Sequence, residues 1–304
     1  MVFTAFAPAK VNLYLHLIGR RPDGYHLLDS LVAFPDIGDK ITAEPATALS
    51  LEIGGPEATG LVNLGSENLV LRAARLLGDH TGTARGAALY LEKNLPTASG
   101  IGGGSTDAAA ALRVLAALWH LSIGEEGLRR LGARLGADVP ACLYGQAVWV
   151  GGVGERIEPA RDLTDAGILL VNPRKELPTA AVFAARKGPF GATGRFALTP
   201  QDAIKLAAAL ERRRNDMTGA AIELVPEIAA VLTRLGGLPG ALIARMSGSG
   251  ASCFALFSDR NAAEEARVVL AAAEPGWWCA AGGLIAGKGL LQVTCCARWG
   301  VAKW

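Results

Sequence analysis

The stretch PTASGIGGGSTDAAAAL, Pro96 to Leu112, restricts the fold more than any other part of the chain. Gly100, Gly102, Gly103 and Gly104 crowd together, hydroxyl side chains flank them at Ser99, Ser105 and Thr106, and an alanine-rich run follows at once. AALYLEK, just upstream, alternates as a strand does, so the glycines link a strand to a helix. Ser105, Thr106 or Asp107 is expected to start that helix. Backbone N–H groups without Cβ obstruction, next to a helix N-terminus, favour an anion. The hydroxyls can donate to a phosphate oxygen or ligate Mg²⁺. A tight connection with a serine cap would account for one glycine; the run of them favours phosphate binding.

Two familiar phosphate cradles do not fit. A Walker A loop needs a lysine after its last glycine, and Ser105 follows Gly104. The dinucleotide fingerprint needs a third glycine where Ser105 stands and an acidic residue about twenty positions on, and Ala116 to Gly124 holds none.

At 304 residues the chain is long enough for roughly two domains. Apolar residues make up 51% and charged residues 19%, which leaves ample material for buried cores. The net charge of +2, with both signs interspersed, argues against a nucleic-acid or membrane-surface footprint. The one dense basic run, Arg212 to Arg214, reads as a solvated helix end. Cys142, Cys253, Cys279, Cys295 and Cys296 show no C-x-x-C spacing and sit in apolar settings, as buried thiols of a reducing cytoplasm would. The start of the chain lacks the pattern of a secretory signal, and no apolar run is long enough to span a bilayer. A soluble cytoplasmic protein is expected.

Val11, Leu13, Leu15 and Leu17 alternate with polar or aromatic neighbours, the pattern of a half-buried strand from which Lys10 and Asn12 project together. RRPDG is a turn, with Tyr25 and His26 directly after it. DKITAE is a strand, and SENLVLRAARLLG a helix ended by Gly78. After the loop, Ala108, Ala111, Leu112 and Leu115 recur at helical spacing; EEGLRRLGARLG is a further helix closed by Gly136. A change of composition over Glu155 to Asp165 suggests a crossing between domains 1–157 and 158–304. Beyond it AGILLVNP is a buried strand, Thr179 caps a short helix through Phe183, and Thr199 caps TPQDAIKLAAALERRR. Helices and strands mixed in both halves give an α+β reading.

Three further stretches bear on chemistry. APAKVN puts Lys10 at a strand start, where a surface lysine is the plain alternative. GADVP puts Asp138 just past a helix end, where a turn aspartate is the alternative. SGSGAS, Ser247 to Ser252, is a second glycine loop or a plain β-turn. No G-x-S-x-G elbow and no H-x-x-x-H pair is present, against a serine hydrolase and a zinc enzyme.

These pieces, in this order, resemble the GHMP kinases, which carry a P-x-[AG]-K segment, a P-x-x-x-G-L-[GSA]-[SG]-[SG]-[AS] loop and a later glycine loop. AKVNLYLHLIGRRPDGYHLLDSLV, ENLVLRAARLL, GIGGGSTDAAAAL, GADVPACL and RNDM narrow the resemblance to members that phosphorylate 4-diphosphocytidyl-2-C-methyl-D-erythritol in the non-mevalonate route to isoprenoid precursors. The resemblance implies a two-domain GHMP kinase fold: an N-terminal nucleotide-binding α/β domain, a C-terminal ferredoxin-like α+β domain, and an active site in the cleft between them. It implies transfer of the ATP γ-phosphoryl group, with Mg²⁺, to the acceptor's tertiary 2-hydroxyl. Asp138 would be the base and Lys10 its charged partner. The phosphate cradle would be Pro96, Thr97, Ala98, Ser99, Gly100, Ile101, Gly102, Gly103, Gly104, Ser105 and Thr106, with Asn68 near adenine. Asn12 and Thr179 would touch the acceptor, Tyr25 and Phe183 would sandwich its cytosine, and His26 would read the base edge. Ala98-Ser99 and Ile101 depart from the usual Gly-Gly and Leu, and the Mg²⁺ ligands have no clear match beyond Ser105. A homoserine- or mevalonate-type kinase and a catalytically inactive nucleotide-binding regulator remain the alternatives.

Overall fold

The computed structural model describes residues 1–60, 65, 67–97, 99–160, 163–196, 200–284 and 292–296. The first half contains β1 (Val2–Pro8), β2 (Val11–Arg20), β3 (His26–Ala33), β4 (Gly38–Ala46), β5 (Leu49–Gly54), α1 (Leu69–Thr81), β6 (Gly86–Glu92), α2 (Gly103–Leu118), α3 (Glu125–Leu135), α4 (Val139–Cys142), β7 (Val148–Gly152) and β8 (Arg156–Pro159). The second contains β9 (Ala166–Asn172), α5 (Thr179–Ala185), α6 (Ala203–Glu211), α7 (Thr218–Leu224), α8 (Glu227–Gly236), β10 (Ile243–Met246), β11 (Cys253–Phe257), α9 (Arg260–Ala273), β12 (Trp278–Leu284) and β13 (Thr294–Cys296).

The strands form three sheets, ordered β13-β1-β4-β6-β5, β2-β3-β7-β8 and β10-β11-β9-β12. Only β5 and β6 pair in parallel among the described pairs. Helices α1 and α2 cover the first sheet, burying Val70, Ala73 and Leu77 with Leu112 and Leu115 against Ile41, Leu89 and Leu91. The alanine run lets α2 be buried almost all round: Ala109, Ala110 and Val114 are as covered as the expected face. Methyl-sized side chains permit that close packing between the sheet, α1, α3 and α4. In the second half β9 is buried at every position, as AGILLVNP predicts, because β11 and β12 flank it.

Several local expectations change. β2 is buried on both faces as far as Leu17, because segments near Gly194 and Asn215 cover its polar side. Helix α1 runs through Gly78 and stops at Gly82, whose φ of 66° makes the left-handed turn. Helix α2 starts at Gly103, before any hydroxyl, and no side chain caps it. Asp202 caps α6 by accepting from the Lys205 N–H; Thr199 lies outside the described residues. Pro178, with no side-chain bond, occupies the cap position of α5, and Thr179 is its first residue. Arg213 and Arg214 are not merely solvated: Arg213 stacks on Phe196 and Arg214 pairs with Asp216. Cys142 and Cys253 are buried, whereas Cys295 and Cys296 are exposed on the edge strand β13.

Candidate active site

A cleft of about 640 Å³ is lined from both halves of the chain. The start of β2, the glycine loop with the first turn of α2, and Asp138 at the head of α4 meet α5 and the second glycine loop there.

Lys10 enters on a constrained backbone: its N–H donates to the Ile101 carbonyl at 2.8 Å. Its side chain is only 8% exposed, and Nζ lies 3.0 Å from Asp138 Oδ1. Gly102 lets the lysine pass. Its φ is 67°, and a Cβ there would stand 2.9 Å from the Lys10 Cβ. The loop's bareness therefore serves the lysine.

Asn12, beside Lys10, gives its Nδ2 to Ser30 Oγ at 2.8 Å, and its N–H donates to Ser247 Oγ. Its Oδ1 is buried with no partner among the described residues. A buried acceptor left open at a cleft wall is set for a ligand donor.

The two glycine loops interlock through their backbones. The Ser252 N–H donates to Ser99 O at 3.1 Å, and a side chain at Gly100 would collide with the Gly250 carbonyl. Asn215 holds the second loop, donating to both Met246 O and Gly248 O at 2.8 Å. Thr179 Oγ1 joins α5 to the same loop through Ser249 Oγ at 2.9 Å.

Beneath the first loop lies a buried ion triad. Lys93 pairs with Asp39 and, at 3.0 Å, with Asp107 Oδ2. Asp39 Oδ1 also accepts from the Asn94 and Leu95 N–H groups. Burial pushes the Asp107 carboxyl up to about 8; Lys93 pulls it down and Asp39 pushes it up.

On the α5 side Phe183 lines the cleft and the His26 ring stands 5.3 Å from it. Tyr25 is 64% exposed on the turn before His26. Partial burial, then Arg20 and Arg186, hold His26 below its ordinary pKa.

The cleft thus gathers Lys10, Asn12, Asn68, Pro96, Thr97, Ser99, Gly100, Gly102, Gly103, Gly104, Ser105, Asp138, Thr179 and Phe183. The Asn68 oxygen is engaged in capping α1 through the Val70 N–H. Ile101 turns its side chain into a core with Val11 and Leu13 and offers only its carbonyl. The Thr106 hydroxyl donates back to Gly103 O at 2.9 Å, because α2 begins two residues before Ser105. Ala98 lies outside the described residues. The sequence alone does not single out Lys93, Asp39 or the role of Asn215. Lys93 immediately before the loop and Asn215 in RNDM were the available signals.

A family profile described as GHMP kinases N terminal domain matches residues 68–146, and one described as GHMP kinases C terminal matches residues 196–275. The 4-diphosphocytidyl-2-C-methyl-D-erythritol kinase of Paramagnetospirillum magneticum is 51% identical over 91% of this chain and 97% of its own length. A crystal structure of 4-(cytidine 5'-diphospho)-2C-methyl-D-erythritol kinase superposes with a TM-score of 0.78 at 36% identity, covering 93% of this chain and 100% of that one. Homoserine kinase from Cytophaga hutchinsonii shares the fold, with a TM-score of 0.71 at 17% identity, over 96% and 97% of the two chains.

Proposed function

The chain belongs to the GHMP kinases and, within them, to the 4-diphosphocytidyl-2-C-methyl-D-erythritol kinases, and on that premise we propose that it moves the γ-phosphoryl group of ATP onto the 2-hydroxyl of that acceptor. The observation that carries this reading is the Lys10–Asp138 pair, 3.0 Å apart, in one cleft with the glycine loop.

Phosphoryl transfer asks for positioning and charge neutralisation more than covalent chemistry. The triphosphate lies along the loop backbone from Gly102 to Ser105, toward the N-terminus of α2. Asp138, half exposed, accepts the proton of the 2-hydroxyl. Lys10 stabilises charge on the oxygens between donor and acceptor. The open Oδ1 of Asn12 takes a hydrogen bond from an acceptor hydroxyl. Tyr25 and Phe183 stack on the cytosine, His26 reads its edge, and Thr179 orients α5 through Ser249.

The Ser105 hydroxyl at the cleft is an oxygen donor of the kind Mg²⁺ takes. No cluster of three metal-ligating side chains occurs among the described residues, and Mg²⁺ bound by nucleotide phosphates and waters needs few protein ligands. Ser105, at the cleft, would hold it, and it would supply neutralisation of phosphate charge. We divide the chain into an ATP-binding unit 1–157 and a substrate-binding unit 158–304, a division that falls within β8. No described helix is long and apolar enough to cross a membrane, and we place the enzyme in the cytoplasm.

The test is kcat/KM for the purified protein with ATP and Mg²⁺ on a panel of acceptors. Turnover is expected on 4-diphosphocytidyl-2-C-methyl-D-erythritol. An active preparation that instead phosphorylates homoserine or mevalonate would overturn the assignment.

A further inference from the structure

One aromatic ring at the acceptor end is left unused by the proposed chemistry. Phe190 is 44% exposed, one of the few large apolar side chains so exposed among the described residues. Its ring stands 6.0 Å from His26, inclined at 59°, and the Arg186 guanidinium lies 4.8 Å from its centre. His26 is thereby in contact with two phenylalanines, Phe183 on α5 and Phe190 on the segment that follows it.

That segment is a pinned strap. The Gly191 N–H donates to Leu17 O at 2.8 Å, and the Gly194 N–H donates to Asp29 Oδ2 at 2.6 Å. His16 Nδ1 meets Ala192 O at 2.9 Å, and Arg195 pairs with Glu158 at 2.8 Å. Arg186 closes the turn that presents the ring, donating to Gly188 O at 2.6 Å and to Pro189 O. The Arg186 guanidinium covers part of the ring, and 44% of the residue stays exposed. A flat apolar ring held in this way beside His26 suits a ligand that is itself flat. Sugar and diphosphate groups gain little from it, whereas a nucleobase stacks on it without large ordering cost.

We propose that Phe190 is a specificity-determining residue: the strap holds its ring beside His26 as the outer wall of the pyrimidine subsite. The inference rests on the cytidine-linked acceptor of the proposed function and adds a third aromatic to the two already assigned there. Partial burial, and then Arg20 and Arg186, favour the neutral His26 ring, which can donate from one nitrogen and accept at the other.

The experiment is calorimetric titration of CMP into protein saturated with ADP, with ADP titrated separately, for the wild type, Phe190→Ala, Phe190→Leu and Phe190→Tyr. Phe190→Ala should weaken CMP about five- to tenfold and raise the acceptor KM by a similar factor, with kcat within about twofold and ADP unchanged. Phe190→Tyr, which keeps the ring, should bind as the wild type does, and Phe190→Leu should fall between. Unchanged CMP affinity in Phe190→Ala would overturn the proposal. Equal weakening of CMP and ADP would overturn it too, as the mark of a general loosening of the strap. A wild type that binds ADP but not CMP would instead remove the cytidine reading itself, and the proposal with it.

Discussion

Lys10 and Asp138 pair a covered cation with a half-exposed carboxylate, and the proposed mechanism divides the chemistry between them. Replacing Asp138 by Asn keeps the shape and removes the proposed proton acceptor. Asp138→Asn should lower kcat about 10²- to 10⁴-fold while ADP affinity holds, measured by steady-state kinetics and titration. An unaltered kcat would show that the proton leaves by another route. At this scale the runs APAK and GADVP mark Lys10 and Asp138, and the family resemblance marks Phe183, as residues that the fold brings to one cleft. The sequence was blind where packing decides. Nothing in the run of letters says that Thr106 turns back to its own helix or that Ile101 fills a core. Lys93, Asp39 and Asp107 lie on different elements, and only the close approach of β4 to α2 makes them a triad.

Helix α2 rests on that triad, so its stability should depend on pH. The Asp107 carboxyl is raised from the ordinary carboxylate range to about 8 in the fold. The folded protein therefore holds a proton that the unfolded chain releases. The resulting stability is full below about pH 4 and is lost as pH rises through about 8. Asp107→Asn, neutral at every pH, should gain on the wild type in urea denaturation between about pH 6 and 8.5. A constant deficit across that range would contradict the account. Helix boundaries give a second test. Gly82→Ala places a Cβ in open space but at a φ of 66°, and should cost about 1 kcal/mol. Gly219→Ala, inside α7 and also facing open space, should instead stabilise by about 0.5–1 kcal/mol. The helices themselves were legible from periodicity, whereas their ends were not. Gly78 has the letter of a terminator but sits one turn early, and the cap of α6 is Asp202, three residues past the Thr-Pro start signal.

Across the whole molecule, three sheets bring the two halves into contact at one cleft, and each half contributes a glycine loop. The loops touch through Ser99 and Ser252 and share one backbone seam. The proposed function places both substrates at that seam and predicts a direct transfer onto a hydroxyl held at Asp138. Its most direct test is ³¹P NMR of the product formed from ATP and 4-diphosphocytidyl-2-C-methyl-D-erythritol. Transfer to the tertiary 2-hydroxyl should give one new phosphomonoester resonance without three-bond coupling to hydrogen, because that carbon bears none. A resonance split by neighbouring hydrogens would place the phosphate on another hydroxyl and contradict the assignment of the site.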